Sequence, residues 1–417
     1  MAEKAHWMEP KETQWRLLGL VDSARHELIE LCGAMVAASS VNPPGDTRAV
    51  ASVVADYLRD WGAVPELVTS NPIMPSVVAD AHGRGAGRHL VLNGHLDTME
   101  PGDESLWTVP RYELTARDGR LYGLGMGNMK GAVAGMALAF RLLAAEPASW
   151  TGRLTFTAVS DECVFGDHGA AYLLATRPEQ VLGDALICGE GPGMQRLAIA
   201  EKGVAWYEVV ATAEGGHASR ALAGATAPAR LAQALLGIDG LNATSATSPP
   251  GLEGLAGDDT EALRLSVNAG TLEAGTFISQ IATTATARID VRVPPGITLA
   301  QLERDMNDRL VPCSGVTWRR LKGWEANWSG MGSPFVATFA QAAELVRGTP
   351  PVVTVRLPAS DASRWRVRGV PAVCYGPQPT LSAGVDDYAE EQDVVDCAKV
   401  YALAALRYLT TTELTPR

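Results

Sequence analysis

Three separate β-like runs in this chain end in a residue able to do chemistry. That recurrence limits the fold more than any other feature of the 417 residues. His89 to Asn93 is apolar and leads into Gly94-His95. Arg153 to Val159 leads into Asp161-Glu162, and Asp184 to Cys188 leads into Gly189-Glu190. Helical spacing separates them, as at Lys130 to Leu143. Strand, polar residue, then helix is the order of an α/β sheet, whose ligands bind outside the carboxyl ends of the strands. Helices are also predicted over 14–38 and over 47–61, the second after Asp46 as N-cap.

The texture changes near Val204. Val204 to Thr212, Leu263 to Leu272 and Thr283 to Val293 read as strands, with helical segments near 225–238 and 298–310. Several antiparallel strands with two helices predict a small α+β unit of ferredoxin-like type. After Val316 the α/β texture returns, with a strand at Pro371 to Tyr375 and a long helix over about 389–409. The expected organisation is an α/β domain made of 1–203 and 313–417, with 204–312 inserted as a second domain. Residues 241–257, rich in Ser, Thr, Gly and Pro, read as a loop.

Composition excludes some classes of partner. The 35 basic and 47 acidic side chains leave a formal charge of −12, which repels phosphate backbones and argues against nucleic acid. No apolar run is long enough to span a bilayer. The six cysteines are scattered without a C-x-x-C pair, which fits a reducing compartment and a cytoplasmic protein.

The motifs carry the chemistry. In Gly94-His95-Leu96-Asp97, a histidine at a strand end can bind a metal, and an acid two residues on can orient it; a core histidine held by a carboxylate is the bland alternative. Gly123-Leu124-Gly125-Met126-Gly127-Asn128-Met129-Lys130 invites a phosphate-loop reading. That reading fails because Asn128 and Lys130 stand where the last glycine belongs. Glu162 after its strand suits a general base in a cleft or an acidic surface turn. His217, in Gly216-His217-Ala218-Ser219, suits a catalyst or a cap.

Taken together, these pieces resemble one family: the dinuclear zinc amidohydrolases that include aminoacylase, carboxypeptidase G and succinyl-diaminopimelate desuccinylase. The resemblance rests on S-V-N-P-P-G at 40–45, G-H-x-D at 94–97, Trp107, and L-Y-G-x-G-x-x-N-M-K-G at 121–131. It continues through Asp161-Glu162-Cys163, Gly189-Glu190-Gly191, Lys202-Gly203, G-H-A-S at 216–219, S-D-A at 360–362 and G-V-P-A-V at 369–373. It implies a zinc-peptidase-like α/β catalytic domain with a ferredoxin-like lid and dimerisation domain. It also implies hydrolysis of an amide bond in a peptide or N-acyl amino acid. His95 and Glu190 are then ligands of one zinc, Asp97 the carboxylate behind His95, and Glu162 the general base. His217 stabilises the oxyanion, and the lid pairs two subunits into a homodimer. Ser279, in place of the family's lid Asn, with Arg292, Ser360 and Asp361, is expected to meet a carboxylate-bearing substrate.

The chain also departs from the pattern. The bridging Asp is Asn128, and a Glu ligand of the second zinc is Cys163. That zinc's histidine belongs near 384, yet no histidine follows His217. An amide offers one neutral oxygen where a bridge needs two anionic ones. Asn128 and Cys163 are therefore weak ligands, and at most one zinc per subunit is expected. The alternatives are a metal-independent enzyme using Glu162, Cys163 and His217, or a non-catalytic ligand-binding protein.

Overall fold

The computed structural model describes residues 10–255, 261–379 and 384–411. The chain divides into two compact units. One comprises Met1–Ile199, Ser329–Val353 and Ser360–Arg417; the other comprises Ala200–Trp328 and Thr354–Ala359.

The first unit is built on a mixed sheet. Its strands run in the order Glu66–Val68, Ser76–His82, Arg153–Val159, His89–His95, Ala185–Cys188, Ala372–Cys374 and Arg196–Glu201. His89–His95 is central and parallel to both Arg153–Val159 and Ala185–Cys188. Its residues after His89 are all buried, as expected of a strand covered on both faces. Helix Gly131–Ala144 is so small and apolar that nearly every residue is buried, and helix Glu391–Thr410 packs on it. The two helices approach to ordinary contact distance here. A Cβ on Gly135 would stand 3.4–3.5 Å from Ala398 of that second helix.

Two local expectations shift. The predicted helix over 14–38 is two helices, Pro10–Ser23 and Arg25–Ala37, hinged at Ala24. Ser23 Oγ bonds back to the Gly19 carbonyl at 2.9 Å, a back-bond that bends helices. The N-cap position of Arg48–Asp60 is Thr47, not Asp46, although the Asp46 carboxylate accepts the Arg48 amide at 3.1 Å.

The second unit is a four-stranded antiparallel sheet in the order Ser266–Ala274, Thr284–Val293, Gly203–Thr212 and Val316–Trp324. With helices Ala227–Asp239 and Leu299–Leu310 the chain order is βαββαβ, a ferredoxin-like unit. Its core lies between one sheet face and the helices, with Tyr207, Val209, Ile289, Val291, Leu231 and Leu302 at its centre. Val316–Trp324 pairs along Gly203–Thr212, so this unit runs to Trp328 rather than ending at residue 312. Without that strand, Gly203–Thr212 would be left with a bare edge. Among the described residues no helix is long and apolar enough to cross a membrane.

Candidate active site

The carboxyl ends of three neighbouring strands converge in the first unit. His95 ends one strand, Glu162 and Cys163 follow the second, and Glu190 follows the third. His95, Glu162 and Glu190 are almost completely buried, Cys163 partly so. Gly94 fits only as glycine, since a Cβ would stand 2.7 Å from Val133 and 2.8 Å from Met129. The Met129 sulfur in turn accepts the His95 amide at 3.3 Å.

The His95 ring has two distinct sides. Nδ1 lies 2.8 Å from the carbonyl oxygen of Asp97, so Nδ1 carries a proton and Nε2 is left to face the site. Around Nε2 stand Asn128 Oδ1 at 3.1 Å, Glu190 Oε1 at 3.5 Å and Glu162 Oε2 at 3.8 Å. The ligand atoms of His95, Glu162 and Cys163 all lie within 4.8 Å of one another. Asn128 reaches this point from the segment Met126–Lys130, where Asn128 and Met129 leave helical geometry just before helix Gly131–Ala144.

Asp97 does more than stand behind the imidazole. Its Oδ1 is 3.7 Å from Nδ1, and its two oxygens accept the amides of Glu162 at 3.1 Å and Cys163 at 3.0 Å. Asn42 Nδ2 donates to the same carboxylate at 2.9 Å and to Asp161 at 3.2 Å. One buried acid therefore fixes the turn that carries both Glu162 and Cys163. Asp161 closes that turn with a left-handed backbone, φ 66°, and accepts the His168 amide. The sequence reading gave neither Asn42 nor Asp161 a role of its own, although both lie in motifs it named, S-V-N-P-P-G and Asp161-Glu162-Cys163.

The electrostatics follow from burying several acids together. Burial raises the Glu162 carboxyl well above its ordinary range, and Glu190, Asp361 and Asp97 push the same way. Burial also raises Asp361, against the pull of Arg364 and His95. For His95 burial opposes charge, but Cys163, Glu190 and Glu162 outweigh it and raise the imidazole above its usual value. Burial pushes the Cys163 thiol up to about 12.

The other expected residues lie as follows. Asp361 is buried, accepts from Asn93 at 3.4 Å and pairs with Arg364 at 3.2 Å. Ser360 is buried too, its hydroxyl accepting the Ala362 amide and lying 3.4 Å from the Cys374 sulfur. In the second unit His217 is exposed, and its Nδ1 accepts the Ser219 amide at 3.2 Å, which leaves Nε2–H facing outward. Ser279 is exposed, and its carbonyl accepts the Ala218 amide. Arg292 is held bidentate by Asp290, at 2.8 and 3.0 Å. A cavity of about 710 Å³ in this unit is lined by His217, Phe277, Ser279 and Gln280, with glycines 215, 216 and 275. Trp365 is fully buried in the core, its indole N–H on the Val181 carbonyl. Asp386 accepts the Thr108 amide and hydroxyl at 2.8 and 2.7 Å. Of the segment expected to supply the missing histidine, 381–383 lie outside the described residues.

A histidine and several acids at the carboxyl edge of an α/β sheet, in a chain carrying an inserted ferredoxin-like unit, define a metallopeptidase-type hydrolase. The profile of peptidase family M20/M25/M40 matches residues 91–407, and the chain belongs to that family. Solved structures of the same fold include human carnosine dipeptidase 1, at 15% identity and TM-score 0.73, covering 95% of this chain and 98% of that one. A metallo-carboxypeptidase from Sulfolobus solfataricus matches at 16% identity and TM-score 0.71, covering 92% and 98%. A di-peptidase from Saccharomyces cerevisiae matches at 13% identity and TM-score 0.73, covering 96% and 99%.

Proposed function

We propose that the protein hydrolyses an amide bond, in a peptide or N-acyl amino acid, of a small carboxylate-bearing substrate. Glu162 is the general base, and at most one zinc ion is held per subunit. The observation that carries this reading is the placement of Glu162: a buried carboxyl, raised above its ordinary range by burial, 3.8 Å from His95 Nε2 and on a turn clamped by Asp97. A base with a raised pKa takes a proton from water and returns it to the leaving amine near neutral pH. The dipeptidases and carboxypeptidase of like fold support small peptides as the substrate class.

The donor set suits one metal ion. Imidazole, carboxylate and amide oxygen surround a single point at His95 Nε2. A bound zinc supplies Lewis-acid polarisation of the amide carbonyl and of water. A second ion lacks support. The group in bridging position, Asn128, is neutral, and the chain has no histidine after His217. Two dications about 4 Å apart repel by on the order of 16 kcal/mol at an effective dielectric of about 20, and an amide offsets little of that.

We extend the reading to His217, whose outward Nε2–H suits donation to a developing oxyanion, and to Ser279 beside it as a substrate contact. Asp361 contributes negative charge near His95. The Ser360 hydroxyl and Arg292 guanidinium, engaged as described, suit support of their turns and strands. The exposed edge of Ser266–Ala274 suits a homodimer through the second unit. Six free cysteines suit a cytoplasmic location. Metal-free thiol chemistry is a second reading, favoured by the nearness of Cys163 to His95.

The test is amine release from a panel of dipeptides and N-acyl amino acids. Glu162→Gln is expected to lower turnover at least ~100-fold with the fold intact by circular dichroism. Unchanged turnover in that variant removes Glu162 from the mechanism. Chelator-resistant turnover that disappears in Cys163→Ser favours the thiol reading.

A further inference from the structure

Five of the six cysteines are buried, and Cys163 alone is partly open. It stands in the cluster with His95 and Glu162, their ligand atoms within 4.8 Å of one another. We propose that Cys163 binds, as a thiolate, the same single metal ion as His95, making this a mononuclear N/S/O site that selects zinc-class ions over magnesium, calcium or manganese. The inference rests on the one-metal reading above and deepens it, assigning Cys163 to the ion of His95 rather than to a second one.

Geometry supports the assignment. Metal bonds of about 2.0–2.3 Å in a tetrahedron place neighbouring donors roughly 3.3–3.8 Å apart. The 3.5 Å from His95 Nε2 to Glu190 Oε1 is such an edge, and the 4.8 Å bound on the cysteine cluster lies about 1 Å above the longest such edge. The imidazole is already oriented, because Nδ1 is committed to the Asp97 carbonyl. The backbone that carries the thiol is held too, because the Cys163 amide donates to the Asp97 carboxylate at 3.0 Å. A single acid thus sets the positions of both ligands. With Glu190 as third ligand, Glu162 stays free as the base.

Chemistry supplies the selectivity. Oxygen donors suit magnesium, calcium and manganese, whereas a thiolate beside an imidazole favours zinc, cobalt and cadmium. Ligation displaces the thiol proton to solvent, so the sulfur enters as an anion and offsets part of the cation's charge. The neutral Asn128 then costs the site less than it would in an all-oxygen centre.

Cobalt(II) reports thiolate ligation directly. Metal-free wild-type protein is titrated with cobalt chloride and followed by absorption, with peptide hydrolysis measured separately. The expected result is saturation at one equivalent with an intense near-ultraviolet sulfur-to-cobalt band, displaced by zinc and not by magnesium. Glu162→Gln keeps that band. Cys163→Ser loses it and binds cobalt at least ~10-fold more weakly. Cys163→Glu, a second variant with a charged oxygen ligand, binds cobalt without the band. Cobalt bound by the wild type without the band, or a band that survives in Cys163→Ser, overturns the assignment while leaving amide hydrolysis standing. No cobalt binding at all also overturns it, and the hydrolysis assay then reports independently on the proposed function.

Discussion

Asp97 is fully buried, and its carboxylate is surrounded by donors: the amides of Glu162 and Cys163 and the side chain of Asn42. A buried charge without partners is unstable, but this one is solvated by the protein itself. The arrangement makes the turn after the Arg153–Val159 strand depend on an acid that follows a different strand. Asp97→Asn is nearly isosteric, yet it puts an NH2 group where one of the amides donates. A stability loss of ~3 kcal/mol is expected by denaturant unfolding, from an unsatisfied buried donor and the lost charge-assisted bonds. Metal affinity is expected to fall with it, because the Cys163 amide leans on this carboxylate, while the His95 Nδ1 bond to the Asp97 backbone carbonyl is kept. Unchanged stability in that variant would show that the clamp contributes nothing. In the sequence, Asp97 was visible as a partner of His95. Its grip on Glu162 and Cys163 was not, because it spans more than sixty residues and no local pattern encodes it.

At the level of elements, the strand His89–His95 carries chemistry at one end and a structural ion network at the other. His89 Nε2 meets Thr155 Oγ1 at 2.7 Å, Thr155 donates to Asp80, and Arg153 forks onto the same carboxylate. Burial, and then the Arg153 charge, lowers the His89 pKa to about 4. The folded state therefore binds fewer protons than the unfolded chain between the ordinary value near 6.5 and about 4. This contribution to stability is complete above about pH 6.5 and declines as pH falls toward 4. His89→Gln, which can keep the bond to Thr155, is expected to flatten that acid limb in unfolding curves across the window; an unchanged slope would rule His89 out. The strand ends were legible because apolar runs closing on His, Glu or Asp announce themselves. Val316–Trp324 was not. Its pairing shifts register between Arg320 and Lys322, and a bulge there breaks the alternation that marks a strand. Its charged and aromatic residues then read as part of the returning α/β texture.

For the whole molecule, the open question is how the ferredoxin-like unit ends its sheet. Among the described residues, Ser266–Ala274 pairs only with Thr284–Val293, and every residue of it except Val267 is exposed. Edge strands usually defend themselves with Pro, Lys or brevity. This one has nine residues, Glu273 as its single charge and neither Pro nor Lys. Leu272, Phe277 and Ile278 add exposed apolar surface in the same stretch, Ile278 at 92% exposure. An edge whose one defence is the irregularity between Ala269 and Thr271, flanked by apolar side chains, suits pairing with the same strand of a second copy, a two-fold contact that joins the edges and closes on itself. The expected result is a mass twice that of one chain by light scattering, independent of metal. The double variant Ala269→Lys with Leu272→Lys places like charges across the pairing line without touching the buried core, and is expected to run as a folded monomer. A wild type already monomeric at micromolar concentration, or a variant that stays dimeric, would remove this edge as the interface.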